Sequence, residues 1–432
     1  MPSDFDLLRP LDDEPRTPST VDVRRAIVEG RRRRQTRRVG YAGAATLTAV
    51  AVAGASVAAG GLFTDAQPNV VATGTPGAST SSKAKGEYAI PGTPGWNAPP
   101  ATAPTSCTIE QLPVPDNEPM ALVSGADPKG QYFVGRSYPT GGGYQAVIWH
   151  DGKATKVMLP GNIEESLRDV NSAGTAVGWS YAGSGEDSGP VPYVYRNGKV
   201  SKLPGVPRGE ALAINDAGAI VGDDGKGALI WSSATAKPVK LPLPAGASQS
   251  TAGDIDEDGT VVGNIGRERA YVWFADGTHR DLPMPSLDGT KATSARVFSI
   301  HNGWVTGVAD FGGAAGSNPK SKAKSDASGG KDSGGESWAV RWNVRTGESR
   351  LFKELGAMGN GVNAQGWQIG IDTKGRAVLI TDAGTVALPA LFDHEPGNLT
   401  NIPNTLSDDG RTIGGQSDNK SDVIQAVVWH CQ

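Results

Sequence analysis

The chain has 432 residues and a formal net charge of −4, with 41 Lys and Arg against 45 Asp and Glu. This near balance gives no broad basic surface and argues against DNA or RNA as a partner. Glycine (59 residues) and proline (30 residues) are abundant, whereas there are only two cysteines.

The N-terminus predicts a membrane anchor. Residues 1–38 form a polar segment with eight arginines between Arg24 and Arg38. Residues 39–63 contain no charge and are long enough to cross a bilayer of roughly 30 Å as a helix. Arginines that flank a span stay on the cytoplasmic side, so everything after Phe63 is expected outside the cell.

A cleaved export signal is the alternative interpretation of residues 39–63. The segment is rich in Ala and Gly, and small residues such as Ala53 and Ala55 could fit a cleavage site. Under this interpretation the protein is secreted. In both cases the rest of the chain lies outside the cytoplasm.

Residues 64–106 predict a disordered linker. They consist largely of Thr, Ser, Pro, Ala and Gly with few large apolar residues. Such a composition cannot bury enough surface to offset the entropy of ordering.

A repeat of about 44 residues dominates the remainder, 107–432. Its clearest copy has an apolar pair before Asn215, a turn ending in Gly218, an apolar run ending in Val221-Gly222, and a short strand closed by Trp231. Corresponding turn glycines follow along the chain: Gly130, Gly174, Gly259, Gly303, Gly366 and Gly410. A repeat of this size indicates units that bury their faces against their neighbours.

Each copy predicts four short antiparallel strands, which is the blade of a β-propeller. Asn-Asp-Ala-Gly at 215–218 is a hairpin turn, and Asn197-Gly198 and Asp276-Gly277 are strong hairpin signals between the third and fourth strands. The turn glycines count seven blades. Blade six is atypical because Ile380 replaces the aromatic that ends the third strand.

The two ends of the repeat region predict how the ring closes. The last blade lacks a fourth strand after Trp429, whereas Thr108–Pro113 looks like a fourth strand without a blade before it. The N-terminal strand is therefore expected to complete blade seven. In this register Cys107 faces Cys431, and we expect a disulfide between them in an oxidising compartment.

The pattern resembles the extracellular HAF-type repeat family. The resemblance rests on Ile214-Asn215, Gly218 and Val221-Gly222, with Gln145–Trp149 and Gln425–Trp429 at the position of that family's His-Ala-Phe strand. It covers Cys107 to Gln432 but lacks the family's Leu-Gly-Thr-Leu-Gly-Gly stretch. The resemblance implies a propeller-like extracellular protein of undefined activity.

Topology predicts which face carries function. First-to-second and third-to-fourth turns are short and share one side, here named the turn face. The other side, the loop face, holds the second-to-third loops and the inter-blade connections, where all variation in length occurs. A low-complexity insert at 312–337 also belongs there. The candidate ligand-binding residues are Arg136, Tyr138, Tyr144, Trp179, Tyr181, Asp223 and Arg267.

No motif predicts catalysis, a cofactor or a metal. Residues Asp254–Gly259 mimic the start of a calcium loop, but the twelfth position is Ile265 instead of a glutamate. The aligned residues in other copies are ordinary turn residues. The five histidines lack ligand spacing.

Three functions remain open at this point. The first is a membrane-anchored, non-catalytic module that binds an extracellular protein or a cell-wall glycan through the loop face. The second is a carbohydrate-active enzyme with carboxylates at the channel mouth. The third is a transmembrane signalling protein in which residues 1–38 act in the cytoplasm.

Overall fold

A computed structural model describes residues 101–161, 164–182, 189–312, 336–356, 359–394 and 399–432. Within these ranges the chain forms seven four-stranded antiparallel sheets and one two-stranded hairpin. The prediction of a seven-bladed, all-β propeller is therefore confirmed.

Blades one to four each contain four consecutive strands. Their bounds are β2 Ala121–Ala126, β3 Tyr132–Ser137, β4 Gln145–His150 and β5 Lys153–Val157; β6 Glu165–Val170, β7 Ala176–Ala182, β8 Gly189–Arg196 and β9 Lys199–Lys202; β10 Glu210–Ile214, β11 Ile220–Asp223, β12 Ala228–Trp231 and β13 Val239–Lys240; β14 Ser250–Ile255, β15 Val261–Ile265, β16 Arg269–Trp273 and β17 His279–Asp281.

Blades five to seven follow the same plan. Their bounds are β20 Ser294–His301, β21 Trp304–Phe311, β22 Glu336–Asn343 and β23 Ser349–Phe352; β24 Gly359–Val362, β25 Gln368–Ile371, β26 Ala377–Thr381 and β27 Gly384–Ala387; β28 Asn401–Leu406, β29 Thr412–Asp418 and β30 Ile424–Cys431 with β1 Cys107–Gln111. The small hairpin is β18 Ser286–Leu287 with β19 Thr290–Lys291, and 3-10 turns cover Pro115–Asn117 and Lys353–Leu355.

The N-terminal strand closes the ring as predicted. Strand β1 pairs with β30 as the outer strand of blade seven, with Cys107 opposite Cys431. These two cysteines form a disulfide with their Cα atoms 4.0 Å apart and a sequence separation of 324 residues. In the chain-entropy model a loop of this length contributes up to about 6 kcal/mol to stability.

Residues 101–106, which the sequence assigns to the linker, lie against blade seven. The amides of Thr105 and Ser106 donate to the carbonyl of Gln432, and Ala101 and Ala103 pack on the blade's apolar cluster. The insert predicted over 312–337 likewise ends inside β22, since that strand begins at Glu336.

The predicted segments 1–38 and 39–63, and the linker up to residue 100, lie outside the described residues. In the part of the chain that the structure describes, no helix is long and apolar enough to span a bilayer.

The first strand of every blade contacts the first strands of both neighbouring blades, so these seven strands line a central channel. Each of them carries one β-bulge opposite the second strand. The glycine of the Val-Gly pair fits this geometry. A Cβ atom on Gly222, for example, would lie 1.9 Å from the carbonyl oxygen of Glu210.

The hydrophobic core lies between neighbouring blades. One cluster joins Val177 and Val194 of blade two to Ile220, Leu229 and Trp231 of blade three. Four third-strand tryptophans, Trp149, Trp231, Trp342 and Trp429, are among the largest fully buried side chains. Each blade thus buries its faces against the next one, as repeat architectures require.

The tryptophans also hydrogen-bond the preceding blade. The indole Nε1 of Trp231 donates to the carbonyl of Pro204 at 3.0 Å, where Leu203-Pro204 ends the fourth strand of blade two. The same bond, 2.7–2.8 Å long, recurs in four other blades, in the pairs Trp149–Pro113, Trp273–Pro242, Trp342–Pro283 and Trp429–Pro389. In blade two the hydroxyl of Tyr193 donates to Pro160 instead.

The junction between blades five and six has neither the tryptophan nor the Leu-Pro carbonyl of this hydrogen bond. Ile380 replaces the tryptophan, and the fourth strand of blade five ends at Phe352 and a 3-10 turn instead of Leu-Pro. Ile380 packs in one apolar cluster with Phe352 and Leu355. An apolar contact therefore replaces the hydrogen bond at this junction.

The turn asparagines connect the blades around the channel. The side chain of Asn215 accepts a hydrogen bond from the amide of Ala219 in its own turn, and its Nδ2 donates to the carbonyl of Asp256 in blade four. Asn171 and Asn363 make the same two types of contact. The turn glycines have φ values of 66–83°, which only glycine adopts without strain.

We predict that Trp231→Phe destabilises the propeller by about 1–3 kcal/mol. The substitution keeps an aromatic ring but removes the donor of the part-buried bond to the Pro204 carbonyl. The free energy of unfolding in urea measures the effect.

Trp338→Phe is the matched control because the Nε1 of Trp338 makes only a long contact, 3.4 Å, with the Glu336 carboxylate. Equal losses of stability in the two variants would contradict a structural role for the tryptophan–proline bond.

Candidate functional site

The channel has one mouth on the loop face and one on the turn face. First strands run from the loop face to the turn face and second strands run back. Residues that begin a first strand or end a second strand therefore lie near the loop face. This places Arg136, Trp179, Glu210 and Asp223 at the loop-face end of blades one to three.

Three predicted residues form a compact cluster on blade one. The Nε of Arg136 donates to the hydroxyl of Tyr138 at 3.1 Å, and its guanidinium carbon lies 4.4 Å from the ring centroid of Tyr144. The two tyrosine rings meet edge to face at 5.0 Å. This Arg136–Tyr138–Tyr144 group is named the Arg-Tyr cluster. It presents a cation held against aromatic rings.

Trp179 and Tyr181 lie on β7 of blade two and are both half-buried. Trp179 follows Gly178 as Arg136 follows Gly135 and Asp223 follows Gly222, so the three occupy one register position in consecutive blades. Among the described residues, no ring contact joins Trp179 or Tyr181 to the Arg-Tyr cluster. The predicted aromatic group is therefore divided between two blades.

Asp223 is buried, and its strand partner is Glu210. One carboxylate oxygen, Oδ1, accepts from the amide of Gly225 at 2.8 Å, whereas Oδ2 has no hydrogen-bond partner among the described residues. Burial is the main cause that raises the pKa of Asp223 to about 6. Burial and the Asp223 charge raise the pKa of Glu210 to about 7.

Arg168 is the bulge residue of β6 in blade two, one of the strands that line the channel. Its Nε is buried and has no hydrogen-bond partner in the described part of the chain. Burial lowers the pKa of Arg168, and the Glu210 charge opposes that shift. Arg168, Glu210 and Asp223 together form what we name the channel triad.

Arg267 does not belong to this group. It is exposed on the loop between β15 and β16 of blade four. The structure places Asp223 beside Glu210, in a site centred on blades two and three.

The turn-face mouth holds a histidine between carboxylates. The Nε2 of His301 in blade five lies 2.5 Å from Oδ1 of Asp408 in blade seven. Burial by itself would lower the pKa of His301, but the Asp408 hydrogen bond and the charges of Asp408, Asp256 and Asp254 outweigh it and raise the pKa to about 9. His301 is therefore protonated at neutral pH and links two blades.

The calcium-like segment has structural partners. Asp254 accepts from the amide of Ile300 at 2.8 Å, and Asp256 accepts from the amides of Asn302 and Gly303 at 2.9 and 2.6 Å. These carboxylates bind blade five's backbone. Within the described residues, no group of three or more His, Cys, Asp or Glu side chains is arranged to hold a metal ion.

Sequence reasoning missed Arg168, Glu210 and His301. For Arg168 the sequence did contain a signal, because charged residues interrupt an apolar first-strand segment. Arg168-Asp169 in the second copy of the repeat aligns with Leu212-Ala213 in the third. Of these two charged residues, Asp169 accepts from the amide of Ile214 in blade three at 2.9 Å, whereas Arg168 is the bulge residue. Alignment of the repeats could therefore have drawn attention to Arg168, but it does not predict the bulge at this residue.

Comparisons with known proteins find similarity of fold only. No family model and no curated protein matches the chain. The structure of YCF48 bound to D1 peptide is 10% identical, with 77% of this chain and 98% of that chain covered and a TM-score of 0.43. Oligogalacturonate lyase in complex with manganese is 10% identical, with 76% and 98% covered and a TM-score of 0.46.

The extracellular domain of a one-component system from B. thetaiotaomicron is 11% identical, covers 74% of this chain and 39% of that chain, and has a TM-score of 0.42. Similarities of this size carry no information about a ligand or a reaction.

We predict that the His301–Asp408 pair makes stability pH-dependent. Because the folded-state pKa is about 9 and the unfolded value about 6.5, the stabilisation is complete below pH 6.5 and is lost as pH rises to 9. Its upper limit is about 3 kcal/mol. His301→Gln removes it, so the stability difference between wild type and variant shrinks from pH 6 to 9 in thermal unfolding.

His150→Gln is the control, since His150 is an exposed histidine beside Asp151. A wild-type minus His301→Gln difference that stays constant over this pH range would refute the assignment.

Proposed function

We propose that this protein is a membrane-anchored, extracellular β-propeller that acts as a non-catalytic binding module for a protein or cell-wall component. The arginine-rich segment 1–38 and the uncharged segment 39–63 support the anchor. The disulfide Cys107–Cys431 supports an oxidising compartment. Residues 64–100 would then separate the propeller from the membrane.

The Arg-Tyr cluster is the observation that carries the binding role. Arg136 is held by the Tyr138 hydroxyl and lies over the Tyr144 ring, so its side chain is ordered before any ligand arrives. A preorganised group loses less conformational entropy on binding than a mobile one. Arginine and tyrosine are also the residue types that contribute most to interfaces.

A carbohydrate-active enzyme is the second candidate. The observation that favours it is the cross-strand pair of Glu210 and Asp223, whose pKa values of about 7 and about 6 suit general acid–base chemistry. Most glycoside hydrolases use a pair of carboxyl groups as their catalytic residues.

We predict that the full-length chain in detergent micelles binds cell-wall sacculi or solubilised envelope proteins of its own cells through the Arg-Tyr cluster. Tyr144→Ala and Arg136→Gln each weaken binding about five- to tenfold, because each removes one half of a cation–π contact at the interface. Co-sedimentation with sacculi and capture of envelope proteins on the immobilised chain measure binding.

Arg350→Gln is the matched control. Arg350 lies 4.7 Å from the Phe352 ring on the outer strand of blade five, far from the loop-face cluster. No retention of either fraction, or retention that Arg350→Gln weakens as much as Arg136→Gln, would overturn the proposal. Release of reducing sugar from the wall, lost in Glu210→Gln, would assign the enzyme instead.

A further inference from the structure

In three of the seven blades the side chain at the bulge position of the first strand bonds to the next blade. Ser124 Oγ donates to the Leu167 carbonyl at 2.7 Å, Asn360 Nδ2 to the Pro403 carbonyl at 2.8 Å, and Asn404 Nδ2 to the Val123 carbonyl at 2.7 Å. Each acceptor belongs to the next blade. A polar side chain at this position therefore has a defined structural use.

Arg168 occupies the same position in blade two without that use. Its Nε is buried, and no described residue accepts a hydrogen bond from it. Leaving a buried donor unpaired costs free energy, and native structures rarely do so without a reason. The unpaired donor belongs to a residue of the innermost strand, next to the channel.

The neighbouring blade offers the complementary acceptor. Asp223 is only 4% exposed, yet its Oδ2 has no partner in the described part of the chain. Glu210 is its cross-strand neighbour, so their side chains share one face of the sheet. Strand β10, which carries Glu210, contacts strand β6 of blade two, which carries Arg168.

The mixture of charges selects the ligand. A charged ligand of either sign meets at least one like charge in this group, Arg168 for a cation and Glu210 and Asp223 for an anion. A hydroxyl group donates one hydrogen bond and accepts others, so neighbouring hydroxyls satisfy a carboxylate and a guanidinium together. We infer that the channel triad of Arg168, Glu210 and Asp223 binds an uncharged, hydroxyl-rich saccharide at the loop-face mouth.

This inference rests on the proposed binding function and names its ligand class. Half-buried Trp179 on blade two has the register position that Asp223 has on blade three, and an aromatic ring at this end of the channel suits the apolar face of a sugar ring. The Arg-Tyr cluster on blade one extends the same mouth.

Saccharide binding is coupled to protons. Hydroxyls that donate to Glu210 and Asp223 favour the ionised carboxylates, so the pKa of each falls in the complex. Glu210 is paired with Asp223 on β11, and its strand contacts β6, which carries Arg168. Outside the triad, the charge of Asp224 acts on Asp223, and the charges of Arg136 and Asp169 act on Arg168. Binding therefore releases protons, and affinity rises with pH until it levels off above about pH 7.

The test is calorimetric titration of the full-length chain in micelles with three probes of matched length. These are N-acetylchitotetraose, which is uncharged, its deacetylated cationic form, and an anionic tetrameric uronate. We expect the uncharged probe to bind most tightly, with proton release near neutral pH. Glu210→Gln and Asp223→Asn each weaken it about tenfold, the value of one hydrogen bond to a charged group.

Asp276→Asn is the control, an exposed carboxylate in a turn-face hairpin of blade four. We expect Glu210→Gln and Asp223→Asn to keep the thermal unfolding midpoint of the wild type. Their weaker binding is then due to the lost contact and not to misfolding. Tighter binding of either charged probe, or unaltered affinity in both variants, would overturn the inference. Wall binding through Arg136 and Tyr144 without affinity for the uncharged probe would refute this inference and leave the proposed function standing.

Discussion

The structure depends on hydrogen bonds that each blade makes to the next. A four-stranded sheet has two faces to bury and cannot be stable alone, so every blade must bind its neighbours in one register. Asn215 spans one junction at the turn face, and Trp231 spans another through the Pro204 carbonyl. The repeated residues are the ones that make these bonds, which explains why the sequence repeats at all. The Cys107–Cys431 disulfide links the two ends of the repeat region covalently within blade seven.

The candidate site includes a polar residue that does not bond to the next blade. At the bulge position Asn360 and Asn404 serve the next blade, whereas Arg168 does not. Asp223 and Glu210 add buried carboxylates whose pKa values are raised mainly by burial. Local departures from the rules that stabilise a fold mark functional sites, because they cost stability and persist for another reason. The loop-face mouth between blades two and three is such a departure.

Much of the fold could be predicted because its constraints are local. Gly218 and its counterparts require positive φ, Trp231 closes a strand, and the orphan strand at Thr108–Pro113 completes the ring. Of the channel triad, Asp223 was predicted from its place on the loop face, but Arg168 and Glu210 were not, since the position of a bulge cannot be read from the turn glycines that define the repeat. Arg267, chosen from charge alone, lies apart from the site, whereas Asp223 lies within it.

The measurement that tests this account most directly is a paired determination of stability and binding for Arg168→Asn. Asparagine is the residue that blades six and seven use at this position to bond the next blade. The account predicts that the variant unfolds at a higher temperature, by about 1 kcal/mol of added stability, and that it loses affinity for N-acetylchitotetraose. A variant that is less stable and binds the saccharide as wild type does would contradict it.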